Sequence, residues 1–303
     1  MVVCRALAGG WIRRMSVQRR RLPQWPVPRC LIAAACFTAC FQTTSSYAGD
    51  GRIEPAAKLD VTYRATLLGL PIGHIVWTIE VHDNRFSAVA TGVTAGLLQV
   101  FSPGHGIAEA HGMLTGPRPA ASKFMVAFSH GSASEQIKIL FSDGKATPFF
   151  DRPPPPNPNL IPLTDAYKSG VVDPMTALLI RVPGTGDTAV PTACEQKIAV
   201  FDGRMRYDLQ LAYKRIERVR ADAGYDGPAV VCAVYFTPLA GYDPTRSAIK
   251  YLRAERGMEM WLAPLSGTRL MVPFRVLVPT PLGDGVLQAT RFIWMQHSGH
   301  MPG

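Results

Sequence analysis

The chain has 303 residues, with 32 Lys and Arg against 22 Asp and Glu and a formal net charge of +10. Seven of the Arg and none of the acidic residues lie in residues 1–48, so the remainder holds 25 basic and 22 acidic residues and carries only +3. That balance gives no reason to invoke nucleic acid. An apolar content of 47% suits a chain that buries a proper core, as one large all-β domain or two small ones.

Residues 1–48 read as a cleavable signal peptide. A basic stretch (Arg13, Arg14, Arg19, Arg20, Arg21, Arg29) runs into an apolar segment from Cys30 to Phe41, then small and polar residues ending Ser46-Tyr47-Ala48-Gly49. That is the order of n-region, h-region and cleavage site. The apolar segment has 12 residues, short of the roughly 20 that a membrane-spanning helix needs. The expected mature chain starts near Gly49 and folds in the periplasm, with no stable transmembrane segment after cleavage. Met15 is an alternative start to Met1. A lipoprotein reading, with Cys36 or Cys40 acylated, competes, but neither cysteine has the Leu three residues before it that such a signal prefers.

Cys4, Cys30, Cys36 and Cys40 leave with the leader, and Cys194 and Cys232 remain. An even pair in an exported chain is most simply a disulfide; two buried free thiols are the alternative. No Cys-x-x-Cys motif suggests redox activity.

From Ala57 on, the pattern has a period of two. Leu59, Val61, Tyr63, Ala65 and Leu67 share one face, with Asp60, Thr62, Arg64 and Thr66 on the other, the signature of a half-buried strand. Gly69-Leu70-Pro71-Ile72-Gly73 is expected to reverse the chain into a second strand through Ile75, Trp77, Ile79 and Val81. Asp83-Asn84 turns into a third strand from Arg85 to Thr94. Further strands are expected near 106–114, 120–129, 135–142, 195–202, 205–213, 214–220, 229–237, 258–263, 268–278 and 286–295. Asp143-Gly144 and Asp202-Gly203 are tight-turn signals. Helix is scarce. Asp173-Pro174-Met175-Thr176-Ala177-Leu178-Leu179-Ile180 has an acidic cap, Pro at the first helical position and an apolar body, and predicts a buried helix over 173–182. A short helical turn is a further expectation near Gly96–Phe101. The prolines of Asp151-Arg152-Pro153-Pro154-Pro155-Pro156-Asn157-Pro158 favour an extended connector and cannot join a central strand. They mark either a boundary between two β halves or, as favoured, a surface loop (151–162) within a single domain spanning 57–295. Residues 49–56 and 296–303 are expected to be flexible ends.

Chemistry-bearing motifs are few. Ser247-Ala248-Ile249-Lys250 has the Ser-x-x-Lys spacing of penicillin-binding enzymes, in which the Ser is a nucleophile at a helix start, but the companion Ser-Asp-Asn and Lys-Thr-Gly motifs are missing. The mature histidines (His74, His82, His105, His111, His130, His297, His300) include one pair, His105 and His111, with even spacing on one strand face. A metal site needs three or four ligands, so no metal and no cofactor are expected. Lys214-Arg215-Ile216-Glu217-Arg218-Val219-Arg220 reads as a solvated, aggregation-blocking strand edge, or as a surface for anionic envelope lipid. The apolar clusters around Leu97, Leu98, Val100 and Phe101 and around Met258, Met260, Trp261 and Leu262 read as core, or as the lining of a hydrophobic cleft.

Four of these stretches together carry a resemblance. They are Tyr63 with the Gly69–Gly73 segment, Gly170-Val171-Val172-Asp173-Pro174-Met175-Thr176-Ala177-Leu178-Leu179, Phe201-Asp202-Gly203-Arg204-Met205-Arg206-Tyr207-Asp208-Leu209, and Cys232-Ala233-Val234-Tyr235 leading to Pro238-Leu239-Ala240-Gly241. The chain resembles a family of exported Gram-negative β-proteins classed as a domain of unknown function, over roughly 57–295. The resemblance implies a periplasmic antiparallel β-protein and supplies no catalytic residues. At the level of fold the predicted architecture is also similar to periplasmic carriers of the lipoprotein-sorting type and to spiral β-proteins that support envelope integrity, an analogy that transfers little about function.

The expectation is therefore a mainly β protein of about a dozen strands, its antiparallel sheet curved into an open barrel or spiral around one short buried helix. The function expected first is non-enzymatic: binding a lipid or an envelope protein on a concave face lined by Trp77, Leu97, Leu98, Phe101, Met175, Leu178 and Trp261. A structural envelope protein with a filled core is the alternative, and a hydrolase using Ser247 and Lys250 or a histidine is a third.

Overall fold

The computed structural model describes residues 57–95, 104–131 and 133–296. The leader, the 96–101 turn, Leu97, Leu98, Phe101, His297 and His300 lie outside the described residues.

Three strands open the fold: β1 (Ala57–Leu67), β2 (Leu70–His82) and β3 (Arg85–Thr94). The sequence alternation sets their register. Leu59, Val61 and Tyr63 are buried, and so are their partners Ile79 and Trp77 on β2, while Asp60 and Arg64 face outward. Burial of every second residue fixes the pairing, because a slip by one would turn each apolar side chain to water. Next come β4 (Gly104–Met113), β5 (Ala120–His130), β6 (Ala133–Ser142) and β7 (Lys145–Phe150). The strand β7 was not expected; Pro148 sits in it without cost because β7 is an edge strand. After the proline-rich loop and a 3-10 turn at Asp165–Lys168 come β8 (Ile180–Arg181), β9 (Lys197–Phe201), β10 (Arg206–Arg220), β11 (Ala223–Gly224), β12 (Asp226–Ala240), β13 (Glu259–Pro264), β14 (Leu270–Thr280) and β15 (Gly283–Gln296).

All fifteen strands belong to one sheet, in the order β7-β6-β5-β4-β3-β2-β1-β15-β14-β13-β12-β10-β9, with β8 added to β14 and β11 to β15. The first and last strands meet at its centre, where β1 pairs with β15 over its whole length. The pairing is antiparallel along the path. The sheet is a nearly closed barrel with one unsealed seam, between β7 and β9. Residues 169–172 lie along this seam. Ser169 bridges Lys145, the Gly170 N–H donates to Gly144 O (2.8 Å), and Val172 exchanges backbone bonds with Ala199 and Phe201 (2.9 Å each). The β9–β10 turn also reaches across this seam. Arg204 pairs with Glu135 of β6 and lies 5.8 Å over the Phe150 ring. Gly203 (φ 95°) presses so close to β6 that a Cβ there would stand 2.5 Å from Ile137 Cγ2, so only glycine fits.

Three expectations are corrected. The 173–182 segment is not a helix. Asp173 does cap, accepting N–H bonds from Met175 and Thr176 (2.9 Å each), but only one 3-10 turn, Thr176–Leu178, follows. Ile180 and Arg181 then pair with β14. An apolar run of this length is as well satisfied by a buried extended segment as by a helix, and the β-branched Ile180 and Val182 before Pro183 favour extension. The 205–213 and 214–220 strands are one strand, β10, whose register shifts between Tyr213 and Arg215; this bulge at Lys214 breaks the alternation. The first hairpin reverses at Leu68-Gly69, and Leu70–Gly73 belongs to β2, with a register shift opposite Ala65 and Thr66.

The one α-helix among the described residues, α1 (Ser247–Ala254), was not expected. It connects β12 to β13 and buries Ile249 and Leu252 against Tyr242, Phe236 and Met258.

The first turn carries an unusual residue. Hairpins joined by two residues with positive φ favour Asn or Gly, as at Asp83-Asn84 (φ 41° and 65°) and Asp143-Gly144 (φ 51° and 71°). At the β1–β2 turn the first position is Leu68 (φ 53°), and its side chain is 66% exposed. Leu in this conformation costs about 1–2 kcal/mol and gains little burial in return. Leu68→Asn is therefore expected to raise the unfolding free energy by about 1 kcal/mol, measured by urea titration; an unchanged or lowered midpoint would contradict it.

Candidate functional site

The barrel interior is the first place to look, because Trp77, Met175, Leu178 and Trp261 were expected to line a cleft. The structure brings them together, but inside a packed core. Trp77, Met175 and Trp261 are buried, and Leu178 packs on the same cluster as Leu59, Val61, Phe201, Phe274 and Phe292. Tyr225, Phe274 and Phe292 form a ring cluster with centroids 5.4–6.1 Å apart, the tilted geometry aromatic pairs prefer. Across this interior the Tyr63 hydroxyl donates to Pro273 O (2.6 Å), and burial pushes its phenol far above its ordinary pKa. Such a phenol stays neutral and serves as a fixed donor.

Cys194 and Cys232 come to disulfide distance, with sulfurs 1.99 Å and Cα atoms 5.4 Å apart. They sit in a separate cluster with Ile180, Val182, Leu211 and Leu262, where the 180–194 segment covers β12–β14.

The basic run of β10 divides by partner. Pairing of β9 with β10 covers only Arg206–Gln210, so the 214–220 half is a free edge, as expected of a charged strand. Its cations are matched on the spot. Lys214 and Arg215 both bind Glu259, Arg215 also reaches Glu217 (2.5 Å), and Arg218 binds Asp226 (2.9 Å). The Trp261 indole N–H donates to Glu217 (2.6 Å) and, ahead of Arg215, holds this carboxyl below its usual range. Arg275 and Arg215 lie over the Trp261 ring at 4.8 and 5.6 Å, a cation–π arrangement. Burial raises the Glu259 carboxyl, yet hydrogen bonds from Arg215 and Lys214 outweigh it and leave the group low. Arg220 also reaches Asp226 (3.9 Å), so every cation of the run has a carboxylate partner, with four cations sharing three carboxylates and Arg218 and Arg220 still largely exposed.

Ser247 opens α1 and Lys250 lies three residues on, the spacing of a Ser-x-x-Lys pair. Both are exposed, and no hydrogen bond joins them. A nucleophile needs an activating base within reach, and this arrangement does not supply one. His105 and His111 share a face of β4, but six residues of strand separate them by about 20 Å; the His105 ring instead meets Ser129 Oγ (2.8 Å). Among the described residues no three His, Cys, Asp or Glu are close enough to hold a metal.

Two depressions stand out on the surface of the described residues. One, of about 510 Å³, is an open groove between the 185–188 and 264–269 loops, where the Arg269 guanidinium is already held by the carbonyls of Val182, Pro183 and Gly186. The other, about 80 Å³, lies near Arg118, Thr176 and Arg181. Neither has the 300–1,000 Å³ enclosed, apolar character typical of small-molecule sites.

The family model described as "Protein of unknown function (DUF3108)" matches residues 59–290. The chain belongs to that family. No curated protein matches it. Among solved structures, the DUF3108 chain is similar to a beta-barrel-like protein of domain of unknown function DUF1849 from Brucella abortus, at 9% identity and a TM-score of 0.49, covering 80% of this chain and 99% of that one. It is also similar to a "putative lipoprotein" from Parabacteroides distasonis, at 10% identity and a TM-score of 0.31, covering 78% and 96%. Among the described residues of this DUF3108 chain no helix is long and apolar enough to cross a membrane.

Sequence reasoning missed the rim of the barrel. The cations Arg246 (the N-cap), Lys250 and Arg253 recur at i, i+4, i+7 spacing, flanked by the inward stripe of Ile249 and Leu252. That 3.6-residue period was the available signal.

Proposed function

We propose that this chain is an exported, non-enzymatic protein of the cell envelope that acts through its outer surface, as a rigid barrel engaging a partner or a membrane. The observation that carries the reading is the filled interior. Residues from twelve of the fifteen strands meet in one packed cluster, so the side chains that would have lined a carrier's cavity are spent on stability. An apolar ligand of drug or lipid size would have to displace core side chains, and close-packed interiors resist this. The basic n-region, short apolar run and small-residue site of residues 1–48 support export, and the paired cysteines fit an oxidising compartment.

The test uses the full chain expressed in a Gram-negative cell. The expected result is release by osmotic shock with a mature N-terminus near Gly49, and no saturable uptake of a fluorescent fatty acid by the purified protein. Retention in the cytoplasm with the leader intact overturns the export half. Saturable one-to-one uptake overturns the filled-interior half and restores the carrier reading.

A further inference from the structure

Strand directions place several features on one rim of the barrel. β1 ends and β2 begins there at Leu67 and Leu70, β14 ends and β15 begins at Thr280 and Gly283, and β12 leaves at Ala240 into α1, which returns to β13 at Glu259. The features are adjacent. Leu68 N–H donates to Asp284 O (3.1 Å), and Gly283 makes room for the Leu68 side chain, since a Cβ there would stand 2.2 Å from Leu68 Cδ2. On the α1 side, Gly257 sits against Pro279, where a Cβ would stand 3.1 Å from Pro279 Cγ.

This rim combines two kinds of exposure. Leu68, Leu70 and Leu282 are 66%, 58% and 58% exposed, the three most exposed large apolar side chains among the described residues. Leu68 is held outward by a backbone conformation that disfavours it, and strain retained at an exposed tip points to use rather than to folding. Beside the leucines, Arg246 at the N-cap of α1 and Lys250 and Arg253 on the helix are exposed, and none of them has a carboxylate within 4 Å among the described residues, unlike the basic run on β10, Arg246 acting on Asp243 only at longer range. The rim's acids are largely occupied. Glu255 accepts the N–H groups of Arg256 and Gly257, and Asp243 accepts the hydroxyl and N–H of Thr245; Asp284 remains exposed.

We propose that this rim docks peripherally on an anionic lipid bilayer, with Arg246, Lys250 and Arg253 on headgroup phosphates and the Leu68, Leu70 and Leu282 side chains in the interfacial layer. The charge selects the partner. Apolar tips alone would suit a protein groove equally well, but solvent-exposed cations flanking exposed leucines match a surface that is anionic outside and apolar beneath. The proposal rests on the outer-surface reading above and names its partner.

The experiment is co-sedimentation of the mature chain with vesicles of equimolar phosphatidylcholine and phosphatidylglycerol, against vesicles of phosphatidylcholine alone. Binding to the anionic vesicles only, falling with added salt, is expected. The R246Q/K250Q/R253Q variant is expected to bind about tenfold more weakly or worse, and Arg218→Gln, on the acid-paired run, is expected to bind as wild type. Leu68→Asn separates docking from folding, because it is expected to melt at higher denaturant yet bind less. Equal binding to both vesicle types, undiminished binding by the triple variant, or no binding to either vesicle overturns the proposal. In the last case, with export and the absence of fatty-acid uptake intact, the outer-surface reading stands and its partner is a protein.

Discussion

Replacing Cys194 and Cys232 together by alanine is expected to lower the unfolding free energy by roughly 3–4 kcal/mol in the chain-entropy account of disulfides. The two residues are 38 apart in sequence, so the bridge denies the unfolded chain a large share of its freedom. In the folded state it fastens the 180–194 segment to β12. That segment has little regular structure: β8 has two residues, and a single 3-10 turn at Pro191–Cys194 precedes β9. Its grip on the sheet otherwise rests on Ile180, Val182, Ala189 and Ala193 in the same cluster. Alanine is the better probe than serine, because both positions are fully buried and a hydroxyl there would lack a partner. Urea titrations of the wild type with and without reductant, beside the double variant, give the result directly. The reduced wild type and the variant should share a lowered midpoint. Coincident transitions for all three would mean that the bond is absent or contributes nothing.

The second large effect is expected at Asp173. Its side chain is fully buried and accepts three bonds, from the Met175 and Thr176 N–H groups (2.9 Å each) and from the Thr176 hydroxyl (2.5 Å). Burial pushes the carboxyl up to about 6, against these bonds, which pull it down. The folded chain therefore holds this proton more tightly than the unfolded chain, whose carboxyl titrates near 3.8. Between those two values the native state binds more protons, so stability falls as pH rises from about 4 to about 6 and then levels. The contribution is of the order of 3 kcal/mol, at about 1.4 kcal/mol per pKa unit. Asp202 is raised by burial as well and adds the same sign, so the informative quantity is a difference between variants. Asp173→Asn can keep the acceptor for both N–H groups and loses the charge; its stability relative to wild type should climb across this window. Asp173→Ala leaves two buried donors and a hydroxyl unsatisfied and should cost about 2–5 kcal/mol near pH 4, and less above pH 6, where the wild type has lost its own protonation-linked stability. Parallel stability–pH curves for Asp173→Asn and wild type would sink the argument.

Much of the sheet could be read from the chain, for a physical reason. Wherever one face is buried and the other wet, as in β1, β2 and β3, the period of two survives in the residues themselves. It fails where the environment changes along a strand. β10 runs from a buried half, Arg206–Leu211, onto a free edge, with a bulge at Lys214 between, and reads as two strands. β7 is short, edge-located and contains Pro148, so it carries almost no pattern. The 173–182 segment misleads in the other direction. Asp173 and Pro174 are good helix starters, but Ile180 finds a partner in Met271 of β14, a long-range contact that no local signal contains. The candidate site shows the same limit. Trp77, Met175 and Trp261 are recognisable as apolar side chains facing inward, but whether they face a cavity or one another depends on packing with Phe201, Phe274 and Phe292, residues far away in the chain. The rim was overlooked for a simpler reason. Leu68 is one residue between two strands, and nothing in its identity announces positive φ or exposure.

The central claim is that the barrel is filled by its own side chains and works from outside. Native mass spectrometry of the protein expressed with its leader in a Gram-negative cell, with a lipid extract run alongside, tests it most directly. The account predicts an apo mass, lighter than the reduced chain by the pair of thiol hydrogens, with no lipid in stoichiometric amount in the extract. A stoichiometric adduct of lipid or acyl mass that survives purification would contradict it and put the ligand back inside the barrel.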